Sequence, residues 1–337
     1  MRNKNLVFVW TGIASIVFIL LLCNLLHGDA QVPAPQVVNI LIGKGAEKAA
    51  WENIVLYSRF PQAITALLTG AALAVCGLML QTLFRNPLAG PSILGVSNGA
   101  DLGAAVAILY SGGVVGSGLS VLFAAFTGSM TVLMLIVYFS GKIRSNTLIL
   151  IVGMMIGYLA SSIVAILHSF ASSENIRFYV LWGMGSFSNV TVQQLPLYSI
   201  LIGFGLLGSI LLIKPLNILL LGENYAFNMG IPVRRIRLLI LLCTSLLTAI
   251  ATAFCGPVSF IGLAVPHLAR MILRTSNQRV LLPATLLFGS AVALLCNLAT
   301  HISFGAGLLP LNAATSLTGA PIIIYVIMNK KNTSYFN

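Results

Sequence analysis

Pro61-Gln-Ala-Ile-Thr-Ala-Leu-Leu-Thr-Gly70-Ala-Ala-Leu-Ala-Val-Cys-Gly77-Leu-Met-Leu-Gln81-Thr-Leu-Phe84 contains no charged residue and is bracketed by Arg59 and Arg85. It has the ~20 residues that a helix needs to cross the hydrocarbon of a bilayer. Gly70, Ala71, Ala72, Ala74 and Gly77 give it a small-residue face, which lets a second helix backbone come close. Nine further apolar stretches follow the same plan, at 6–26, 93–110, 118–140, 147–168, 195–213, 238–255, 258–273, 280–300 and 308–328. The eighth in chain order, 258–273, is short, contains Pro266 and reaches Arg270, so it reads as a partial or broken span.

Composition agrees. Of 337 residues 58% are hydrophobic and 7% charged, against roughly 25% charged in a soluble domain. The chain reads as an all-α polytopic membrane protein of ten transmembrane helices, residues 1–337 forming one transmembrane domain. The first stretch is long for a signal-peptide core and lacks a good cleavage site after it, which favours a retained span. The net charge of +12 forms no aromatic-interleaved basic patch, so nucleic acid is not the expected partner; the lipid bilayer is. With the N-terminus inside, 14 of the 18 basic residues fall on the inner side, leaving only Lys44, Lys48, Arg59 and Arg177 outside. That asymmetry sets both termini in the cytoplasm. Gly99/Gly103 and Gly153/Gly157 repeat the small-residue spacing and predict close packing of those spans.

Chemistry is mostly absent. Gly43-Lys44-Gly45 and Gly141-Lys142-Ile143 lack the spacing and the Ser/Thr of a phosphate loop. Cys23, Cys76, Cys243, Cys255 and Cys296 have no metal or redox spacing and read as small buried hydrophobes. No catalytic residue, cofactor or metal site is expected. Asp101 and His267 lie within spans; a functional carboxylate competes with a capping one, and structural hydrogen bonding at a broken helix is the stronger reading for His267. Spans so poor in ionisable groups argue against an ion-coupled secondary transporter, the main alternative, and against a membrane enzyme built on Asp101 and His267. Energy for uphill transport must then come from outside the chain.

Leu221 to Arg237 is a basic, polar island in this apolar chain. Glu223–Met229 predicts a two-turn helix with Gly230 as left-handed cap and Pro232 as stop. So short a helix is marginal alone and needs a partner. Around it the chain resembles the membrane subunit of binding-protein-dependent ABC importers for iron-siderophores, haem and cobalamin. The resemblance rests on Arg59-Phe60-Pro61, Arg85-Asn86-Pro87-Leu88-Ala89-Gly90-Pro91, Leu94-Gly95-Val96-Ser97-Asn98-Gly99-Ala100, Gly222-Glu223 through Met229-Gly230-Ile231-Pro232, Gly256 through Arg270, and Gly319-Ala320-Pro321. It covers about 55 to 328.

The resemblance implies a type II ABC importer permease fold in the cytoplasmic (inner) membrane. It also implies two cytoplasmic ATP-binding subunits, a second permease subunit (the same chain, or a different one) and an extracytoplasmic substrate-binding protein. The cargo would be a metal chelate, iron-siderophore or haem first and cobalamin next. ATP hydrolysis belongs to the separate subunits, so this chain is not an enzyme. Residues 221–233 match the coupling loop, with Glu223, Tyr225, Ala226, Met229 and Gly230 at the ATPase contact. Asn86 and Leu88, and Asn146 and Thr147, match constrictions of the translocation gate. Arg59, Gln62 and His301 match the docking rim for the binding protein, where relatives often carry basic residues; Asn297, Leu308 and Asn312 stand where relatives have acids or a Glu-x-Pro-x-Gly run.

Overall fold

Each of the ten apolar stretches falls on a helix in the computed structural model, which describes residues 3–110, 118–143, 145–301, 303–304 and 307–328. The first helix is α1 (Asn3–Leu26); α2 (Ala34–Leu41) and α3 (Ala49–Asn53) follow, and a π-type turn at Ile54–Arg59 carries α3 into α4 (Phe60–Phe84). A short 3-10 turn at Pro91–Leu94 leads to α5 (Val96–Tyr110), then come α6 (Gly118–Lys142), α7 (Asn146–Phe170) and α8 (Ser173–Gly183). The rest is α9 (Leu195–Leu211), α10 (Ile213–Leu219), α11 (Glu223–Asn228), α12 (Val233–Cys255), α13 (Ile261–Leu273), α14 (Gln278–Thr300) and α15 (Leu311–Met328). The residues at 303–304 and 307–308 make one small antiparallel pair, β1 (Ser303–Phe304) with β2 (Gly307–Leu308). Of the basic residues that set the charge asymmetry, Arg2, Arg144, Lys330 and Lys331 lie outside the described residues.

Among the described residues six helices are long and apolar enough to cross a bilayer, and seven if α9 and α10, bent by 50° at their junction, count as one span. The ten-span expectation is met in part, for identifiable reasons. Ile93 and Leu94, at the start of the predicted third span, lie in the Pro91–Leu94 turn, leaving α5 with 15 residues, or about 22 Å at 1.5 Å per residue. The irregular lead-in through Gly256 (φ 73°) and Phe260 (φ 64°) shortens the eighth stretch to the 13-residue α13, which continues through Pro266, so the stretch is short as expected but is not broken at the proline.

α4 lies at the centre, with every residue from Thr69 to Phe84 buried. Its small face does what the sequence predicts. A Cβ on Gly70 would stand 2.2 Å from the Gly289 carbonyl oxygen of α14, and one on Gly77 only 1.5 Å from that of Gly262 on α13. The backbones therefore meet directly, without side chains between them. Gly99 and Gly103 meet Gly128 and Ala124 of α6 in the same manner, and Gly153 packs on Leu94. The buried Thr69 hydroxyl is satisfied: Thr69 Oγ1 shares a 2.7 Å hydrogen bond with the Tyr198 hydroxyl of α9 and donates to the Thr65 carbonyl. Large apolar side chains on the outer sides of α6, α7 and α9 (Phe123, Tyr158, Phe204) stay exposed, as expected of a bundle that meets lipid.

Candidate functional site

At one end of the bundle α11 stands out from the spans. It is one residue shorter than predicted, since Met229 is the cap residue. The Ile231 N–H donates to the Ala226 carbonyl at 3.1 Å and the Gly230 N–H to that of Phe227 at 2.9 Å, the paired bonds of a Schellman cap. Gly230, at φ 76°, supplies the left-handed turn, and Gly222, at φ 109°, starts the helix. Both conformations suit glycine because no Cβ opposes them.

The contact face differs from the sequence expectation. Ala226 is fully buried and joins the core below; it holds α11 down and is not available to a partner. Phe227, which is not among the residues expected at the contact, is 73% exposed, and Tyr225 and Met229 are exposed in part. In a helix of six residues, sequence spacing alone does not say which side rests on the bundle. The side chain of Glu223 lies outside the described residues.

The four gate candidates lie at this same end and come together. Asn86 Oδ1 accepts from the Leu88 N–H at 2.9 Å, so Asn86 caps the turn before Pro87 and leaves Leu88 44% exposed. Asn146 Nδ2 donates to the Leu83 carbonyl at the end of α4, at 2.8 Å, bringing the start of α7 against the Asn86 turn; Thr147 beside it is exposed. His267 resolves as structural. Its Nε2 lies 2.7 Å from the Pro87 carbonyl, and a turn further on Arg270 Nη1 donates to Gln81 Oε1 at 2.6 Å. α13 thus braces the turn that carries Asn86 and Leu88.

The three docking candidates lie at the opposite end. Arg59 is 4% exposed and does not form an open rim. Its guanidinium donates to the carbonyls of Leu25, Leu26 and Ala30, capping the C-terminus of α1, where unpaired carbonyls favour a cation. Gln62 is half-buried and donates to Asn297 Oδ1 at 3.0 Å. Asn297 in turn donates to Asn24 Oδ1 at 2.7 Å, and Asn24 to the Leu294 carbonyl at 3.1 Å. The positions occupied by Gln62 and Asn297, both departures from the resembled family, are therefore one hydrogen-bonded pair joining α4 to α14. His301 pairs with Asp29 at 2.7 Å, the carboxylate being the exposed partner. Arg59 and His301 both line a recess of about 650 Å³ between the end of α1 and α14.

Asn312 is a junction that sequence reasoning did not assign. It accepts from the Ser259 N–H, donates to the Gly183 carbonyl, and its own N–H donates to Met184, tying α8, the lead-in to α13 and α15. In sequence it was marked only as one of the positions where relatives have acids or a Glu-x-Pro-x-Gly run. Asp101 on α5 has a buried Oδ1 with no hydrogen bond among the described residues. Burial first, and then the Asp101 carboxylate, hold the phenol of Tyr179 on α8 above its usual range. Among the described residues no group of three His, Cys, Asp or Glu forms a metal site.

The sequence pattern described as the FecCD transport family matches residues 16–329. The chain is 31% identical to the vitamin B12 import system permease protein BtuC of Klebsiella pneumoniae subsp. pneumoniae, over 98% of this chain and 95% of that protein. It is 34% identical to BtuC of Salmonella arizonae over 82% and 83% of the two chains. Among solved structures it matches a metal-chelate type ABC transporter in an inward-facing conformation with a TM-score of 0.84, at 27% identity, over 97% of this chain and 99% of that one.

Proposed function

The chain belongs to the FecCD transport family, and on that premise we propose that it is the membrane-spanning subunit of an ABC importer that takes up a metal chelate. As a member of a family of transport permeases the protein is not itself an enzyme; the energy of ATP enters through separate subunits. In this reading ten helices cross the cytoplasmic membrane with both termini inside, and α5, α13 and α15 are shortened spans. The charge asymmetry of the loops supports that orientation. Two copies, or this chain with a second permease, enclose the path, with two ATP-binding subunits inside and a binding protein outside.

The observation that carries the reading is α11. An exposed Tyr225, Phe227 and Met229 on a helix of six residues, capped at Gly230 and anchored through Ala226, is a rigid apolar knob in a polar loop. Aromatic and Met anchors of this kind are what a partner pocket receives. Asn86, Leu88, Asn146 and Thr147 form the gate above it. On the outer face His301 with Asp29 meets the binding protein, while Arg59 and Gln62 brace the rim from within. For the cargo, the relatives named for vitamin B12 import support a corrin-type chelate beside iron-siderophore and haem. The test is reconstitution with ATP-binding subunits and a binding protein from the same organism, followed by uptake of cyanocobalamin, haem and a ferric hydroxamate. ATP-dependent accumulation of one of the three is expected. Gradient-driven uptake without an ATPase would refute the reading in favour of a secondary transporter.

A further inference from the structure

Leu221–Arg237 continues past α11 into three arginines, Arg234, Arg235 and Arg237, on the first turn of α12. Cations at a helix N-terminus oppose its dipole, so their own helix does not explain them. Two of them reach across to another helix. Arg234 Nη2 donates to the Gly141 carbonyl at 2.6 Å, and Arg237 Nη1, on a side chain 5% exposed, donates to the Ile143 carbonyl at 3.3 Å. Gly141 is in the last turn of α6 and Ile143 just beyond it. Because α6 and α12 run antiparallel, the arginines of one meet the orphan carbonyls of the other, where cations are favoured. Three residues after Ile143 begin the gate residues Asn146 and Thr147.

The other gate loop meets the same segment from the opposite side. Arg85 closes α4 in the left-handed conformation, φ 46°, where a glycine is the easier residue; the position keeps a long cationic side chain instead. Its guanidinium lies along the start of α11: a Cβ on Gly222 would come within 3.6 Å of Arg85 Nη1. Asn86 and Leu88 follow directly.

We infer that Arg234 and Arg237 on one side, and Arg85 on the other, tie each gate loop to the segment carrying α11, so that one displacement of α11 moves the two gates through separate arginine links. The inference rests on the coupling reading of α11 given above. These arginines are positioning residues, since they touch loop backbone and not cargo.

The test uses the whole importer in nanodiscs and measures maleimide labelling of Leu88→Cys or Thr147→Cys, with and without ATP plus vanadate, against the background of the native cysteines. Arg234→Ala should cut the nucleotide-dependent contrast at Thr147→Cys by roughly three- to tenfold, the lower figure because Arg234 is exposed, while leaving the contrast at Leu88→Cys. Arg85→Ala should do the reverse. Arg234→Lys, which keeps a donor for the Gly141 carbonyl, should restore the first contrast and guards against misfolding as the cause. Phe227→Asp separates the two levels of argument. If it abolishes both contrasts while the arginine variants change neither, the links are wrong and the coupling reading stands. If both contrasts survive Phe227→Asp as well, the coupling reading falls with them.

Discussion

Replacing Gly230 by alanine isolates the backbone of α11 from everything it touches. A Cβ at Gly230 would meet no atom within 4 Å, so Gly230→Ala adds no clash, and the residue keeps its N–H for the bond to Phe227. What remains is the left-handed conformation, φ 76°, which costs a residue with a Cβ about 1–2 kcal/mol. α11 has six residues and almost no intrinsic stability to absorb that loss. The equilibrium constant for an ordered Tyr225, Phe227 and Met229 should therefore fall by about 5- to 30-fold, and that factor is the upper limit on the loss of affinity for a partner that needs the ordered knob. Titration of purified ATP-binding subunits onto the permease in nanodiscs measures it directly. Gly230→Asn, which tolerates the left-handed region better, should recover most of the affinity. Wild-type affinity in Gly230→Ala would refute the argument, because it would mean that the partner does not read the capped helix.

Gly77→Ala places a methyl 1.5 Å from the Gly262 carbonyl oxygen and should lower the thermal midpoint in detergent by an amount matching a few kcal/mol. Gly203→Ala, with nothing within 4 Å, should leave that midpoint unchanged. Arg59→Gln withdraws the guanidinium from the Leu25, Leu26 and Ala30 carbonyls and is expected to destabilise the protein by ~1–3 kcal/mol; unaltered stability with weakened binding-protein affinity would overturn the bracing role. Asn24→Leu should cost about 1–3 kcal/mol by stranding Asn297 Nδ2, and the Asn24→Leu, Asn297→Leu pair should cost less than the sum of the two singles in the same unfolding assay.

How much of this was legible in the sequence depended on how local the cause was. The spans, the small-residue faces and the Gly230 cap were readable because each depends on composition or spacing within a few residues. The role of Arg59 was not, since its carbonyl partners lie about thirty positions earlier, and an arginine at a span's edge looks the same whether it caps a helix or meets a partner. Gln62 and Asn297 looked like two separate lost charges; 235 positions apart, they form one bond. Ala226 was misassigned for a related reason. In a helix of less than two turns, every residue lies near both the exposed and the buried side, and the core beneath decides which is which.

The kinds of contact in the bundle also differ in how they can change. At the glycine contacts of α4 with α14 and α13 the backbones meet directly, and at those points there are no side chains to rearrange. Such a contact moves as a block or comes apart. At the α11 end the links are guanidinium groups on loop carbonyls, Arg234 to Gly141 and Arg237 to Ile143, and a guanidinium with five donors can exchange one carbonyl for another at little cost. The same holds for the brace at Pro87, which is one bond from His267. A force applied at Tyr225 and Phe227 should then leave the glycine-packed helices intact and re-partner the loops. Motion should be confined to the Asn86 turn and the Ser145 end of α7, where the narrowest part of the path is expected. Gating of this kind needs no buried charge to move, because the stiff and the exchangeable contacts lie in different layers.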